Sequence, residues 1–283
     1  MTEPLSLGQL KHAADLIAQA DALIVAAGAG MGVDSGLPDF RGTEGFWRAY
    51  PALGRDQLDF YRIACPEAFR TQPKRAWGFY GHRLNLYRAT QPHDGFQILK
   101  RWGSGMLYGY AVFTSNVDGQ FQKAGFDPAV IEECHGSIHH LQCLSPCCSA
   151  IWSADTLAPD VDVEQCLLVN AIPTCPHCGG MARPNVLMFN DWGWLEQRQA
   201  QQAARLERWL SGVRRPVVVE IGAGTAIPSV RRFSQRIIHE FGGRLVRINP
   251  REFSVPTTRD VGLADGACHA LVEMDLVMRR SSR

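Results

Sequence analysis

The run Ala22-Leu23-Ile24-Val25-Ala26-Ala27, followed at once by Gly28-Ala29-Gly30-Met31-Gly32, decides the fold. Six apolar residues without polar alternation read as a strand buried on both faces, and the glycines end it in a tight loop. Similar short runs recur at Ala111-Val112-Phe113-Thr114, Val217-Val218-Val219-Glu220-Ile221 and Arg244-Leu245-Val246-Arg247-Ile248. Upstream, Leu10, Ala13, Ala14 and Ile17 fall at helical spacing, so a helix leads into the first strand. Buried strands alternating with helices predict an α/β fold, a Rossmann-like parallel sheet with helices on both faces.

Two stretches break that rhythm. Residues 43–95 are rich in Phe, Tyr, Trp and Arg and mostly helical in pattern; residues 137–186 hold most of the nine cysteines. The expectation is a smaller helical and zinc-ribbon domain built from 43–95 and 137–186. The Rossmann-like domain would then comprise 1–42, 96–136 and 187–283, with a ligand cleft between the two.

The 283 residues suffice for a core without disulfide staples. Lys and Arg number 29 against 28 Asp and Glu, a net charge of +1, which argues against a chain that lives by binding nucleic acid. The most apolar run breaks into glycines, so no membrane span is expected. The first ten residues, MTEPLSLGQL, lack a basic n-region and a long apolar stretch, so no secretory signal is expected and the cysteines read as cytoplasmic thiols or metal ligands.

Glycines after a buried strand let backbone N–H groups approach a pyrophosphate. The loop is not a dinucleotide fingerprint, because Val33 stands where the last glycine belongs and no acidic residue follows a second strand about twenty positions on. Cys143-Leu144-Ser145-Pro146-Cys147-Cys148 and Cys175-Pro176-His177-Cys178 are two close cysteine groups that fit a tetrahedral, structural zinc site. Cys143, Cys147, Cys175 and Cys178 are the preferred ligands; Cys148 remains an alternative to Cys147.

Read whole, Gly28-Ala29-Gly30, five residues, then Gly36-Leu37-Pro38-Asp39-Phe40-Arg41-Gly42 resembles the NAD-binding signature of the sirtuins, NAD-dependent protein lysine deacylases. Thr114-Ser115-Asn116-Val117-Asp118-Gly119 resembles a second motif, with Ser115 in place of Gln. Cys134-His135-Gly136-Ser137 resembles a third, 17 residues past Asp118. The resemblance implies that NAD is consumed as co-substrate, with Gly28, Ala29, Gly30, Asp39, Phe40, Arg41, Ser115, Asn116, Val117 and Asp118 around it. It makes His135 the general base, suited by an unperturbed pKa of about 6.5, and gives Asn116 the ribose hydroxyls. Gly222-Ala223-Gly224 and Asn249 would serve the adenosine end. Arg183 to Asp191 resembles the family segment that pairs with substrate peptide, through Val186, Leu187 and Phe189, but Asn190-Asp191 departs from Gly-Glu.

Phe69, Trp77, Tyr80, Leu84 and Tyr87 have the spacing of a buried helix stripe. Tyr80 and Arg83 also resemble the Tyr-x-x-Arg pair of the desuccinylase and demalonylase class, which binds an acyl carboxylate. The implied activity is removal of acyl groups from protein lysines, giving nicotinamide and O-acyl-ADP-ribose. The alternatives are ADP-ribosyl transfer or NAD hydrolysis on the same fold, and a non-catalytic NAD-sensing module. His139 and His140 match no family role and read as surface or packing residues, and the basic tail from Arg279 as solvated and mobile.

Overall fold

Six strands form one parallel sheet in the order Val261–Leu263, Arg244–Ile248, Pro216–Ile221, Ala22–Ala27, Tyr110–Thr114, Ile131–Glu133. The computed structural model describes residues 5–39 and 42–281. Every residue of Ala22–Ala27 is buried, and the pleat sends alternate side chains to opposite faces. Leu23, Val25 and Ala27 join a core with Ile17, Leu99 and Leu271; Ile24 and Ala26 join another with Leu210, Phe233 and Ile237. Helices Leu7–Ala18, Asp94–Ser104 and Ala267–Ser281 cover the first face, and Gln197–Leu210 and Ser229–Phe241 the second. The leading helix starts on a capping box, Ser6 accepting from the Gln9 amide at 3.1 Å.

The chain runs from Ala22–Ala27 outward through Tyr110–Thr114 to Ile131–Glu133, then returns to lay Pro216–Ile221 on the other side of the first strand. That reversal opens a crevice at the carboxyl ends of the strands, where open α/β sheets bind ligands.

Residues 42–89 are helical, in five segments of which Pro73–Ala89 is the longest. Residues 136–186 contribute an antiparallel sheet in the order Ile151–Ser153, Gly136–Cys143, Ala182–Val186. A third core joins these two stretches: Phe46, Phe69, Trp77, Phe79 and Tyr80 pack with Ile138, Leu141 and Leu168. The Trp77 indole donates to the Ala182 carbonyl at 3.0 Å, pinning the long helix to the sheet. Among the described residues no helix is long and apolar enough to cross a membrane.

Of the basic tail, Arg279 and Arg280 are exposed as expected but helical, and Ser282 and Arg283 lie outside the described residues. Arg279 and Arg280 lie in the last turn of Ala267–Ser281, where cations suit the helix dipole, and Arg279 pairs with Asp275 at 2.7 Å.

Candidate active site

A cleft of about 720 Å³ lies over the carboxyl ends of the central strands, within the range of small-molecule sites. Its walls include Gly28 and Ala29, residues 115–118, His135, residues 186–189 and residues 222–224. Segments more than a hundred residues apart in sequence therefore meet at one place.

The glycines act first through packing. A Cβ on Gly28 would lie 2.7 Å from the Gly222 carbonyl oxygen, and one on Gly222 2.3 Å from the Gly30 Cα. Gly222 also has a φ of +61°, which favours glycine. The Gly28 and Gly30 amides donate to the Ile221 and Gly222 carbonyls at 2.9 and 3.1 Å. These two N–H groups are thus spent between the loops rather than offered to a pyrophosphate, which corrects that part of the sequence reading. Gly30 is not in the cleft wall. Met31 is buried inside a 3₁₀ helix, Ala29–Ser35, which Gly36 ends.

Asn116 Nδ2 donates to the Gly28 carbonyl at 3.0 Å, and the Asn116 amide to Thr114 Oγ1 at 3.0 Å. The side chain is clamped to the glycine loop and keeps its carbonyl oxygen and second amide hydrogen for a ligand. His135 Nε2 lies 3.1 Å from Ser229 Oγ, and its ring also hydrogen-bonds the Ser115 backbone. Burial holds the imidazole below its usual pKa, and the bond to Ser115 works the other way. The neutral ring is the form that can take a proton. Asp118 is pushed up to about 6, by burial first; the Gln120 amide, 2.9 Å away, opposes the shift.

At the other end of the cleft, Tyr80 and Arg83 share one buried wall. Arg83 Nε donates to the Tyr87 hydroxyl at 2.8 Å, and the guanidinium carbon lies 5.2–5.7 Å from the ring centres of Phe79, Tyr80 and Tyr87. Three aromatic faces hold the cation in a dry place. Burial raises the Tyr80 hydroxyl's pKa well above its ordinary value, so it stays a donor. The buried stripe and the candidate carboxylate pair therefore share Tyr80, and Tyr87 of the stripe holds Arg83.

Residues 186–189 leave the antiparallel sheet along the cleft, with the Leu187 amide bonded to the His135 carbonyl at 2.9 Å. Asn190 turns with a φ of +53°. Asp191 then folds back on Arg183: Nη1 to Oδ2 is 2.7 Å, Nη2 to Oδ1 is 2.8 Å, and both side chains are fully buried. The same carboxylate accepts from the Met188 and Gly193 amides. The Asn190-Asp191 departure thus has a structural use, bracing the segment from behind.

Asn249 lies behind the cleft. Its Nδ2 donates to the Ala223 carbonyl at 3.0 Å and its Oδ1 accepts from the Arg251 and Glu252 amides, so it shapes the 222–224 loop from below. Asp39 borders the cleft; Phe40 and Arg41 lie outside the described residues. Tyr87, placed on the helix stripe by its spacing, also lines the cleft beside Arg83. Three further side chains carry no mark in the sequence. Ser229, Phe60 and Tyr61 are brought in by the fold alone, without a spacing signal.

The Sγ atoms of Cys143, Cys147, Cys175 and Cys178 all lie within 4.8 Å of one another. Cys143 to Cys178 and Cys147 to Cys175 are each 3.7 Å. Zinc–sulfur bonds of about 2.3 Å at tetrahedral angles put thiolates about 3.8 Å apart, so the quartet fits zinc and leaves no open position. Cys148 falls outside the group.

The sequence model of the Sir2 family matches residues 28–207. The chain belongs to the Sir2 family. Among its Sir2 relatives, the NAD-dependent protein deacylase of Thermococcus kodakarensis is 30% identical over 267 residues, 94% of each chain. That of Pyrococcus furiosus is 30% identical over 276 residues, covering 97% of this chain and 100% of the relative. A solved Sir2 homolog–NAD complex matches 100% of this chain and 97% of its own with a TM-score of 0.70 and 23% identity, a shared fold.

Proposed function

We propose that this Sir2 chain removes acyl groups from protein lysine side chains with consumption of NAD, giving nicotinamide and O-acyl-ADP-ribose. The observation that carries the reading is the meeting of Asn116, His135 and the 186–189 segment in one cleft. NAD supplies the activated glycosidic bond to its nicotinamide. Asn116 orients the ribose hydroxyls, its free carbonyl oxygen and N–H matching a diol. His135, neutral by burial and steadied by Ser229, takes a proton from one hydroxyl. Asp118, with Ser115 and Val117 beside it, receives the nicotinamide end, its carboxylate accepting from the carboxamide. Gly28, Ala29 and residues 222–224 enclose the phosphates and adenosine, with Asp39 beside them; the family resemblance gives Phe40 and Arg41 a part in holding the same ligand. Val186, Leu187 and Phe189 take the peptide by strand addition.

The preferred acyl group is an acidic one such as succinyl, its carboxylate met by Arg83 and Tyr80 in a charge-assisted pair. The division of labour follows the two lobes, residues 1–42, 96–136 and 187–283 for NAD and residues 43–95 and 137–186 for acyl pocket and zinc. One zinc per chain staples the small lobe through its four cysteines. The partner is an acyl-lysine protein or peptide, with no part for nucleic acid or membrane, and the free thiols suit a cytoplasmic setting.

The test is nicotinamide release by purified protein with and without an acyl-lysine peptide. Release that depends on the peptide supports deacylation. Equal release without peptide would make the chain a NAD hydrolase, and none at all would leave a non-catalytic NAD-binding module. His135→Ala should abolish acyl removal and retain NAD binding; near-wild-type turnover would remove His135 as the base.

A further inference from the structure

Asp118 and Tyr87 belong to two walls. Besides the cleft they border a second cavity, of about 610 Å³. It is assembled from the end of helix Pro73–Ala89, the Gln120–Lys123 turn, the strand Gly136–Cys143 and the helix Gln197–Leu210. Four permanent cations border it, Arg88, Lys123, Arg198 and Arg205, against the carboxylate of Asp118. Arg198 is answered from behind by the buried Glu133. Among the described residues Arg88, Lys123 and Arg205 take part in no ion pair. The chain as a whole carries a net charge of only +1, so this concentration is local.

The cations are also fixed. Arg88 donates to the Leu157 and Ala154 carbonyls, both at 2.6 Å, and Lys123 to those of Arg88 and Thr90 at 2.5 and 2.6 Å. Those bonds hold the charges in place without neutralising them. A concave wall with four cations against one carboxylate is net positive, and a concave site focuses such a field on whatever enters. The wall is under-satisfied as well. His140 and Arg198 border the cavity, and His140 Nδ1 and Arg198 Nη1 are buried without a hydrogen-bond partner, a rare condition for polar atoms. The side chains of Gln122 and Gln201 add neutral donors and acceptors. Three cations that form no ion pair among the described residues, facing a single carboxylate, suit a dianion, and the amides suit hydroxyls.

We propose that this cavity binds a small phosphorylated ligand, a phosphate monoester of a polyol. Lys123 and Arg205 meet the phosphate, and the glutamine amides meet the hydroxyls. The shared Asp118 and Tyr87 make the two cavities neighbours, so an occupant of one is felt in the other. The site stands independently of the deacylase reading.

The test uses the full, zinc-loaded chain, saturated with ADP-ribose to fill the cleft, and titrates it by calorimetry with ribose 5-phosphate, inorganic phosphate and ribose. Ribose 5-phosphate should bind once per chain, inorganic phosphate more weakly, and ribose not at all. Arg205→Gln and Lys123→Gln should each weaken ribose 5-phosphate about tenfold or more, as loss of a charged hydrogen bond does, while thermal melting and nicotinamide release without the ligand stay at wild-type values. Absence of binding at millimolar ribose 5-phosphate, or an affinity unchanged in both variants, overturns the proposal. Binding of ribose as tight as that of its phosphate overturns it too. If ADP-ribose itself fails to bind, the deacylase reading fails, and the titration with the two variants still decides this site.

Discussion

Asp191→Ala should destabilise the protein and disturb peptide use more than NAD use. The carboxylate meets Arg183 through two bonds of 2.7 and 2.8 Å and accepts from the Met188 and Gly193 amides at 3.3 and 3.1 Å. Neither side chain of the pair reaches solvent. Removing the acid leaves the guanidinium buried, with the Val186 carbonyl at 3.3 Å as a remaining acceptor and its Nε already unpartnered. Breaking a buried pair from one side costs about 3–5 kcal/mol. At roughly 2–4 °C per kcal/mol for large domains, the melting temperature should fall by roughly 6–20 °C. Residues 186–189 lose their brace, so KM for an acyl peptide should rise several-fold while KM for NAD changes less. The double variant Arg183→Met/Asp191→Leu removes both charges and should recover most of the lost stability, because a well-packed apolar pair often replaces a buried ion pair at little cost. Differential scanning calorimetry and two-substrate kinetics read both effects. A single variant melting within about 2 °C of wild type, less than about 1 kcal/mol, would refute the reasoning, as would a double variant less stable than Asp191→Ala.

Cys175→Ala should release the zinc and unfold the small lobe, since structural zinc sites are coupled to folding, whereas Cys148→Ala should keep a full equivalent by elemental analysis; a metal-free wild type would end the idea. Arg83→Met should lower kcat/KM on a succinyl peptide about ten- to hundredfold, the worth of a charged hydrogen bond of about 1.5–3 kcal/mol, and leave its acetyl twin equal or better. Equal damage to both substrates would make Tyr80 and Arg83 packing residues. KM for NAD should rise as pH falls through about 6, where the Asp118 carboxylate gains its proton and ceases to accept from the carboxamide. Asp118→Asn should abolish that step. The same group titrates higher folded than unfolded, so the folded state holds more protons between about 4 and 6 and stability should decline as pH rises through that window; a urea titration at pH 4.5 and 6.5 in wild type and Asp118→Asn checks the sign.

The strands Ala22–Ala27, Tyr110–Thr114, Pro216–Ile221 and Arg244–Ile248 were legible because burial on both faces forces an apolar run. Ile131–Glu133 and Val261–Leu263 were not, being too short to carry a pattern, and the first holds two glutamates. Cysteine spacing reached the metal quartet because ligand geometry limits loop lengths. It preferred Cys147 with Cys148 as the alternative, and the three-dimensional path of the knuckle brings Cys147 into the group. The glycines were visible in the sequence, yet their use was not: that Gly28 and Gly222 meet backbone to backbone depends on two loops 194 residues apart lying side by side. The bonds of His135 to Ser229 and of Asp191 to Arg183 depend likewise on where the chain returns. His139 and His140, read as surface or packing residues, border a charged cavity that four separate elements enclose. Local patterns record what each segment must bury or bind by itself. Which distant segments share a wall is decided by the order of strands in the sheet and the packing of the insertions against it, and no single stretch of sequence contains that information.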